Sequence, residues 1–281
     1  PYPVEGIVMV ADLAGDLDQL YDHGFDPGVA SGWFKFDRHY RARTGLLTIV
    51  TGIASHGKSH FLDALLVNLA VRHGWTFAIC SPENQPLARH AAGIIATYEG
   101  MPFHDGANPR MTKLTMHKAR DWMNGNFAFV LPETPTIDAI LDRARVLVYR
   151  MGIHGVVIDP WNELEHSCPP NMNETNYISE CLGKIRRFAR HHNVHIWLVA
   201  HPTKLKLDGD GNEPVPTLYD ISGSAHFRNK CDAGVVVWRN LKNEFAPVQV
   251  HVQKIRFAET GELGMVEFSY DRVTGRYREV A

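Results

Sequence analysis

The sequence predicts an α/β fold: a mostly parallel central sheet flanked by helices and extended by C-terminal antiparallel hairpins. Three observations predict it. From residue 46 onward, apolar runs of strand length alternate with helical stripes of period 3.6, the pattern of parallel strands joined by crossover helices. A G-x-x-x-x-G-K-S string, Gly52 to Ser59, stands directly after one of those runs. In the last third the apolar period drops to two, as in strands that bury one face.

Taken in order, Leu13 to Tyr21 has the spacing of a short amphipathic helix. Gly32 to Asp37 reads as a short strand or turn before the core. Residues 1–30 are therefore expected to form a linker segment, and 31–281 a single domain. Leu46, Leu47, Ile49 and Val50 mark a buried strand, and Phe61, Leu62, Leu65, Leu66, Leu69 and Ala70 the stripe of the next helix. A strand at about 75–80, a helix from Pro86 and a short strand at about 127–131 follow. Thr134-Pro135 has the form of an N-cap and first-turn proline, opening a helix with Ile137, Ile140, Leu141, Ala144, Leu147, Val148 and Met151 on one face.

Gly155 to Asp159 is an apolar strand closed by a carboxylate. Asn173 and Glu174 cap a helix whose apolar face runs from Tyr177 to Ala189, and whose Lys184, Arg186, Arg187 and Arg190 read as a solvated face. The strand Val194 to Ala200 leads into a loop from His201 to Tyr219, of the length that is usually functional or disordered. Val248, Val250, Val252 and Ile255 mark a strand of mainly alternating faces, and Met265 to Tyr270 another, paired through a turn at Asp271 to Gly275.

Composition sets bounds. The chain has 281 residues, 44% hydrophobic and 21% charged, enough apolar material for a large core. A net charge of −2 leaves no overall nucleic-acid footprint, so any DNA contact must come from local basic loops. Cys80, Cys168, Cys181 and Cys231 lack C-x-x-C spacing, which argues for a reduced cytoplasmic compartment and against a zinc site. No apolar run reaches membrane-spanning length, and residues 1–20 lack the order of a signal peptide. A start at Pro1 suggests a fragment of something longer.

The chemistry gathers around the glycine-rich string. Gly52 and Gly57 let backbone N–H groups surround phosphate oxygens, Lys58 adds positive charge, and the Ser59 hydroxyl is a magnesium ligand, so ATP with Mg²⁺ is the expected ligand pair. Asp159, at the end of its strand, is placed to bind magnesium through water. Glu83, just past the second core strand, is the candidate for orienting and deprotonating the attacking water. His201 ends a third strand and is a candidate γ-phosphate contact.

Four strings bring a resemblance: Ile158 to His166 (IDPWNELEH), Lys184 to Arg190 (KIRRFAR), Ala200 to Lys204 (AHPTK) and Tyr219 to His226 (YDISGSAH). Jointly they resemble the helicase domain of Twinkle-like primase-helicases, within the DnaB-type group of ring-shaped replicative helicases with a RecA-like core. The likeness runs from about Trp33 to the C-terminus. It implies that Lys58 and Ser59 hold phosphate and magnesium, Glu83 is the catalytic carboxylate, Asp159 the second magnesium-side acid and His201 the phosphate sensor. It further implies that Lys254 and Arg256 reach into a neighbouring subunit's site, and that Arg239 and Tyr270 pack around the base.

The resemblance also places single-stranded DNA in a central channel, against loops after the Asp159 and His201 strands. Here the second loop offers Lys204, Lys206, Arg228 and Lys230 around Ser222, Gly223 and Ser224. Asp208, Asp210 and Glu213 oppose that charge. The same likeness implies a homo-oligomeric ring, expected to be a hexamer, encoded by a bacterium or phage and unwinding DNA 5′ to 3′. A priming region is expected upstream in the full-length protein, and these residues alone are expected to make no primers. A RecA-type recombinase filament and a clock-protein-type ATPase switch are the competing readings. One departure stands out: Ala54-Ser55-His56 occupy positions where relatives carry small residues. His56 must point outward or supply contacts of its own, which puts nucleotide affinity in question.

Overall fold

The computed structural model describes residues 6–207, 213–223, 225–243 and 245–280. Nine strands form one sheet in the order β3-β2-β4-β5-β1-β6-β7-β8-β9. The parallel part comprises β1 (Leu47–Thr51), β2 (Phe77–Cys80), β3 (Phe127–Phe129), β4 (Gly155–Ile158), β5 (His195–Val199) and β6 (Ala233–Arg239). β1, β2, β4 and β5 are buried along their whole length, which is why they read as unbroken apolar runs. β7 (Val248–Ile255), β8 (Gly264–Tyr270) and β9 (Tyr277–Glu279) then add antiparallel.

Helices cover both faces. Against one core pack α3 (Lys58–His73), α4 (Leu87–Glu99) and α5 (Lys113–Asn126), together with Trp33, Phe36 and Tyr40 of the N-terminal region. Against the other pack α6 (Ile137–Met151), α7 (Glu174–His192) and α8 (His226–Lys230). The loops that leave β1, β2, β4 and β5 at their carboxyl ends therefore meet at one edge, where open α/β sheets bind ligands.

The expected fold class and most elements are present, with four differences. Gly32 to Asp37 is neither strand nor simple turn: the chain turns and enters a short helix α2 (Phe36–His39). Its Asp37 carboxylate accepts from the N–H groups of Ser31 (2.6 Å) and Gly32 (2.9 Å), and Trp33 stacks on Phe61 at 5.3 Å. α5 has no counterpart in the sequence reading, because only Ala119 and Met123 of its 14 residues are buried and no apolar stripe forms. The cap before α6 is Thr136, whose hydroxyl accepts from Ala139 N–H at 3.2 Å, two residues beyond the expected Thr134. Asn173 caps α7 as expected, accepting from Asn176 N–H at 2.8 Å.

The fourth difference lies in β7. Its register against β6 slips by one residue between the pairs Gly234↔Lys254 and Val235↔Val252. Val248, Val250 and Val252 face the first core, and beyond the bulge it is Ile255 that packs there. A one-residue slip inverts every later side chain. Lys254 and Arg256, which strict alternation would send into that core, turn to the opposite face of the sheet.

α1 (Ala14–His23) forms where expected and buries no residue. The solvated reading of α7's basic face needs correction at Arg186, which pairs with the buried Asp232 at 3.4 Å; Lys184 makes an exposed pair with Asp138 at 2.9 Å. All four cysteines are free, and among the described residues no helix is long and apolar enough to cross a membrane.

Candidate nucleotide site at the sheet's carboxyl edge

The loop from Gly52 to Gly57 joins β1 to α3, and two of its glycines are required by geometry. Gly52 has φ +150°, and a Cβ there would lie 2.2 Å from the Val237 carbonyl oxygen. Gly57, at φ +95°, is the residue from which α3 starts. The helix thus presents its unpaired N–H groups and positive end to the cradle. Lys58 is buried, and its ammonium donates to the Gly52 and Ile53 carbonyls at 2.8 and 3.0 Å. Burial holds its pKa below the ordinary lysine value, with Asp159 and Glu83 pulling the other way.

A cavity of about 570 Å³ opens over this loop, lined by Ala54 to Ser59 with Glu83, His201, Arg239 and Tyr270. The structure brings these sequence candidates together from the carboxyl ends of β1, β2, β5, β6 and β8. Asp159 is buried beneath them and accepts from the Ser59 hydroxyl; burial pushes its carboxyl up to about 6. Burial and the Glu163 carboxylate raise the Glu83 carboxyl above its ordinary value, against the pull of Lys58, the direction that strengthens it as a base. Burial and the Lys58 charge push His201 down to about 4. Its ring is therefore neutral at pH 7, able to donate one N–H to a phosphate oxygen.

The oxygen donors fit magnesium. Ser59 and Asp159 touch each other at the mouth of the phosphate cradle, and among the described residues no group of three or more His, Cys, Asp or Glu side chains gathers to cage a metal. A hard ion held by one or two protein oxygens and otherwise by phosphate and water matches Mg²⁺. When bound there it would neutralise charge building on the transferring phosphoryl group.

His56 settles inward. It is 1% exposed, and its Nδ1 accepts from the Arg239 backbone N–H at 3.1 Å. Because that donor is fixed, Nε2 must carry the ring proton, which it donates to the Glu213 carboxylate at 3.1 Å. Burial lowers the His56 pKa, so the neutral tautomer persists at pH 7. The outward alternative is thus corrected. Glu213 belongs to the phosphate loop's support, where Trp238 Nε1 also donates to its backbone carbonyl at 3.1 Å.

Tyr270 stacks against His60 at 5.7 Å and packs on Tyr277 at 4.8 Å, while Arg239 lines the same cavity. His60, Arg272 and Tyr277 also line it and were missed. His60 is the one with a local signal, since it directly follows Ser59. Tyr277, whose hydroxyl donates to the Gly57 carbonyl at 3.3 Å, reaches the loop only through the fold of β8 and β9.

The remaining candidates lie elsewhere. Lys254 and Arg256 sit where β7 ends, opposite Gly234 and the start of β6, whereas the phosphate loop meets the other end of β6 near Val237 and Arg239. About six residues of strand separate the ends, roughly 20 Å. Neither side chain reaches this chain's own phosphate cradle. Lys204 and Lys206 are exposed in the loop after β5. Arg228 instead lies 4.6 Å over the Tyr219 ring and donates to its hydroxyl, and the Lys230 ammonium donates to the Ser179 carbonyl. Ser222 and Gly223 form a turn tied back to the end of β5: Ser222 N–H donates to the His201 carbonyl at 3.1 Å. Ser224, Asp208 and Asp210 lie outside the described residues.

Fold and site together define a phosphate-loop ATPase with a RecA-like core. The chain belongs to the AAA domain family, whose model matches residues 41–206. It is 42% identical over 291 aligned residues to the Twinkle homolog protein, chloroplastic/mitochondrial, of Arabidopsis thaliana. That match takes in 99% of this chain and 40% of the relative, so the chain spans about two fifths of that protein's length. The relative's compartments lend the expected bacterial or phage source no support. Among solved structures, an ATPase domain superposes with a TM-score of 0.80 at 18% identity, over 99% of this chain and 100% of that one. A DnaB-like replicative helicase, solved with attention to its interactions with primase, gives 0.77 at 18% identity, over 96% and 68%. These two show likeness of fold.

Proposed function

We propose that this chain is the ATP-driven motor of a replicative DNA helicase, hydrolysing ATP at interfaces between its own copies to move along single-stranded DNA and unwind duplex. One observation carries the reading. The phosphate cradle, Glu83, Asp159 and His201 converge in one chain, while Lys254 and Arg256 stand roughly 20 Å away along β6. A guanidinium on the transferring phosphoryl group raises turnover by roughly three orders of magnitude or more, and the one on Arg256 can reach such a group only in a second copy's site. A ring of six subunits and 5′ to 3′ movement rest on the Twinkle-like and DnaB-type resemblance.

In this reading Lys58 and the loop N–H groups bind the phosphates, and Ser59 and Asp159 hold the Mg²⁺ that ATP brings. Glu83 orients and deprotonates water, and neutral His201 reads the γ-phosphate. Arg239 and Tyr270 flank the base. DNA lies against Lys204, Lys206 and the Ser222-Gly223-Ser224 turn, which the His201 carbonyl supports from behind. Arg228 and Lys230 are less suited to DNA, being engaged within the fold. Residues 1–30 act as a linker, an assignment supported by the absence of any buried residue in α1.

The test is ATP hydrolysis measured against protein concentration, with and without single-stranded DNA. Activity per chain should rise as subunits assemble, rise again with DNA, and fall about 10³-fold in Arg256→Ala. Full activity in a dilute monomer that Arg256→Ala leaves unchanged would overturn the interface model. A closed ring on DNA in electron microscopy separates this reading from a recombinase filament, and stimulation by DNA separates it from a clock-type switch.

A further inference from the structure

Lys254 and Arg256 are held by two sets of partners. The first is Asp232, a buried residue just before β6. Its Oδ1 lies 3.3 Å from Arg256 Nε and 3.4 Å from Arg186 Nη2, and its Oδ2 accepts from the Leu47 N–H at 3.1 Å. Leu47 opens the strand that runs directly into the phosphate loop. The Asp232 carbonyl also accepts from the Arg256 N–H at 2.8 Å. One carboxylate thus ties the guanidinium to the base of β1.

The second set is the carboxyl end of α8. The Lys254 ammonium donates to the Arg228 and Asn229 carbonyls, and Arg256 Nη2 donates to Asn229 O at 3.2 Å. Carbonyls in a helix's last turn have no intrahelical donor and carry partial negative charge, so cations seat there. These bonds occupy Arg256 Nε and Nη2. Nη1 has no partner among the described residues, and a third of the side chain is exposed. α8 begins three residues after Gly223, in the turn whose Ser222 N–H is bound to the His201 carbonyl.

We propose that Asp232 and the carboxyl end of α8 are the positioning elements of the Lys254/Arg256 pair, setting where these cations stand when offered to a neighbouring copy's ATP. Asp232 supplies a fixed anchor on β1. α8, which seats both cations on its last carbonyls, supplies a second one. The inference rests on the reading of Arg256 as acting across an interface.

The experiment mixes defective subunits. Lys58→Ala chains have no working phosphate cradle but a normal Arg256, and Asp232→Asn chains have the reverse. Each alone should be nearly inactive, Asp232→Asn through a fall in kcat on the order of 10²-fold, the cost of a misplaced catalytic group, with KM for ATP within about twofold. Mixed one to one, about a quarter of the interfaces in a ring pair an intact cradle with an intact Arg256, so activity should return to about a quarter of wild type.

A parallel mixture of Lys58→Ala with Arg256→Ala separates the positioning role from the interface reading. Recovery in both mixtures is the expected result. Recovery with Arg256→Ala but not with Asp232→Asn would overturn the positioning role, because the Asp232 defect would then lie in its own subunit. Recovery in neither would overturn the interface reading beneath it. Should Asp232→Asn lose cooperative melting because Arg186 is left uncompensated, the double variant Asp232→Asn with Arg186→Met carries the same test.

Discussion

Replacing His56 with alanine tests whether the odd residue of the phosphate loop is a structural bolt or mere filling. The imidazole makes two hydrogen bonds of 3.1 Å, one from the Arg239 N–H and one to the Glu213 carboxylate, across 183 and 157 residues of chain. Its loss strands a half-buried backbone N–H, at about 1–3 kcal/mol, and removes a bond to a charged group of about 1.5–3 kcal/mol. The loop and the end of β6 then separate, and nucleotide binding must restore their order. At about 1.4 kcal/mol per factor of ten, a penalty near 3 kcal/mol weakens ATP binding roughly 100-fold. Calorimetric titration of the non-hydrolysable analogue with Mg²⁺ reads this directly. His56→Asn, whose side-chain oxygen can still accept from Arg239 N–H, should fall between wild type and alanine. Equal affinity for wild type and alanine, with a lowered Tm, would refute the reasoning and leave His56 as core packing.

Three further outcomes follow from the same geometry. Glu83→Gln should lower kcat by about 10²–10⁴-fold while analogue affinity stays within about threefold, measured by steady-state hydrolysis beside titration; a large affinity loss with kcat unchanged would contradict the base assignment. Gly52→Ala forces a Cβ to 2.2 Å from the Val237 carbonyl, so analogue binding should be lost while far-UV circular dichroism keeps the helical content. His195 is buried, bonded to Tyr40, Thr48 and the Arg43 carbonyl, and burial pushes it down to about 4 from 6.5. The depressed value means its stabilisation is complete above pH 6.5 and lost as pH falls toward 4. That amounts to roughly 3 kcal/mol, seen as a Tm decline across that window that His195→Gln should blunt.

Much of the site was readable because it is local. Strand, glycine-rich loop and helix follow one another within Leu46 to Ala70, and Glu83, Asp159 and His201 each end a strand whose apolar run is plain. Parallel strands put all those ends at one edge, so topology converts a linear pattern into a cluster. Where the signal was weak, it was weak for a reason. α5 buries two residues and shows no stripe, and the α6 cap moved from Thr134 to Thr136 because both threonines precede the same helix and only the fold chooses between them.

By itself, then, the sequence determined the ligand class, the fold and the local motifs, since phosphate binding, strand burial and helix periodicity all act over a few neighbouring residues. Tertiary structure alone decided the direction of His56, whose partners are more than 150 residues away. It also decided the facing of Lys254 and Arg256, because the slip against β6 exists only once β7 has a partner to slip against. The anchoring of Arg256 on Asp232 and on the end of α8 likewise needs three separate segments brought together. Short-range order is written in spacing; which charges stand beside one another depends on how distant strands pair.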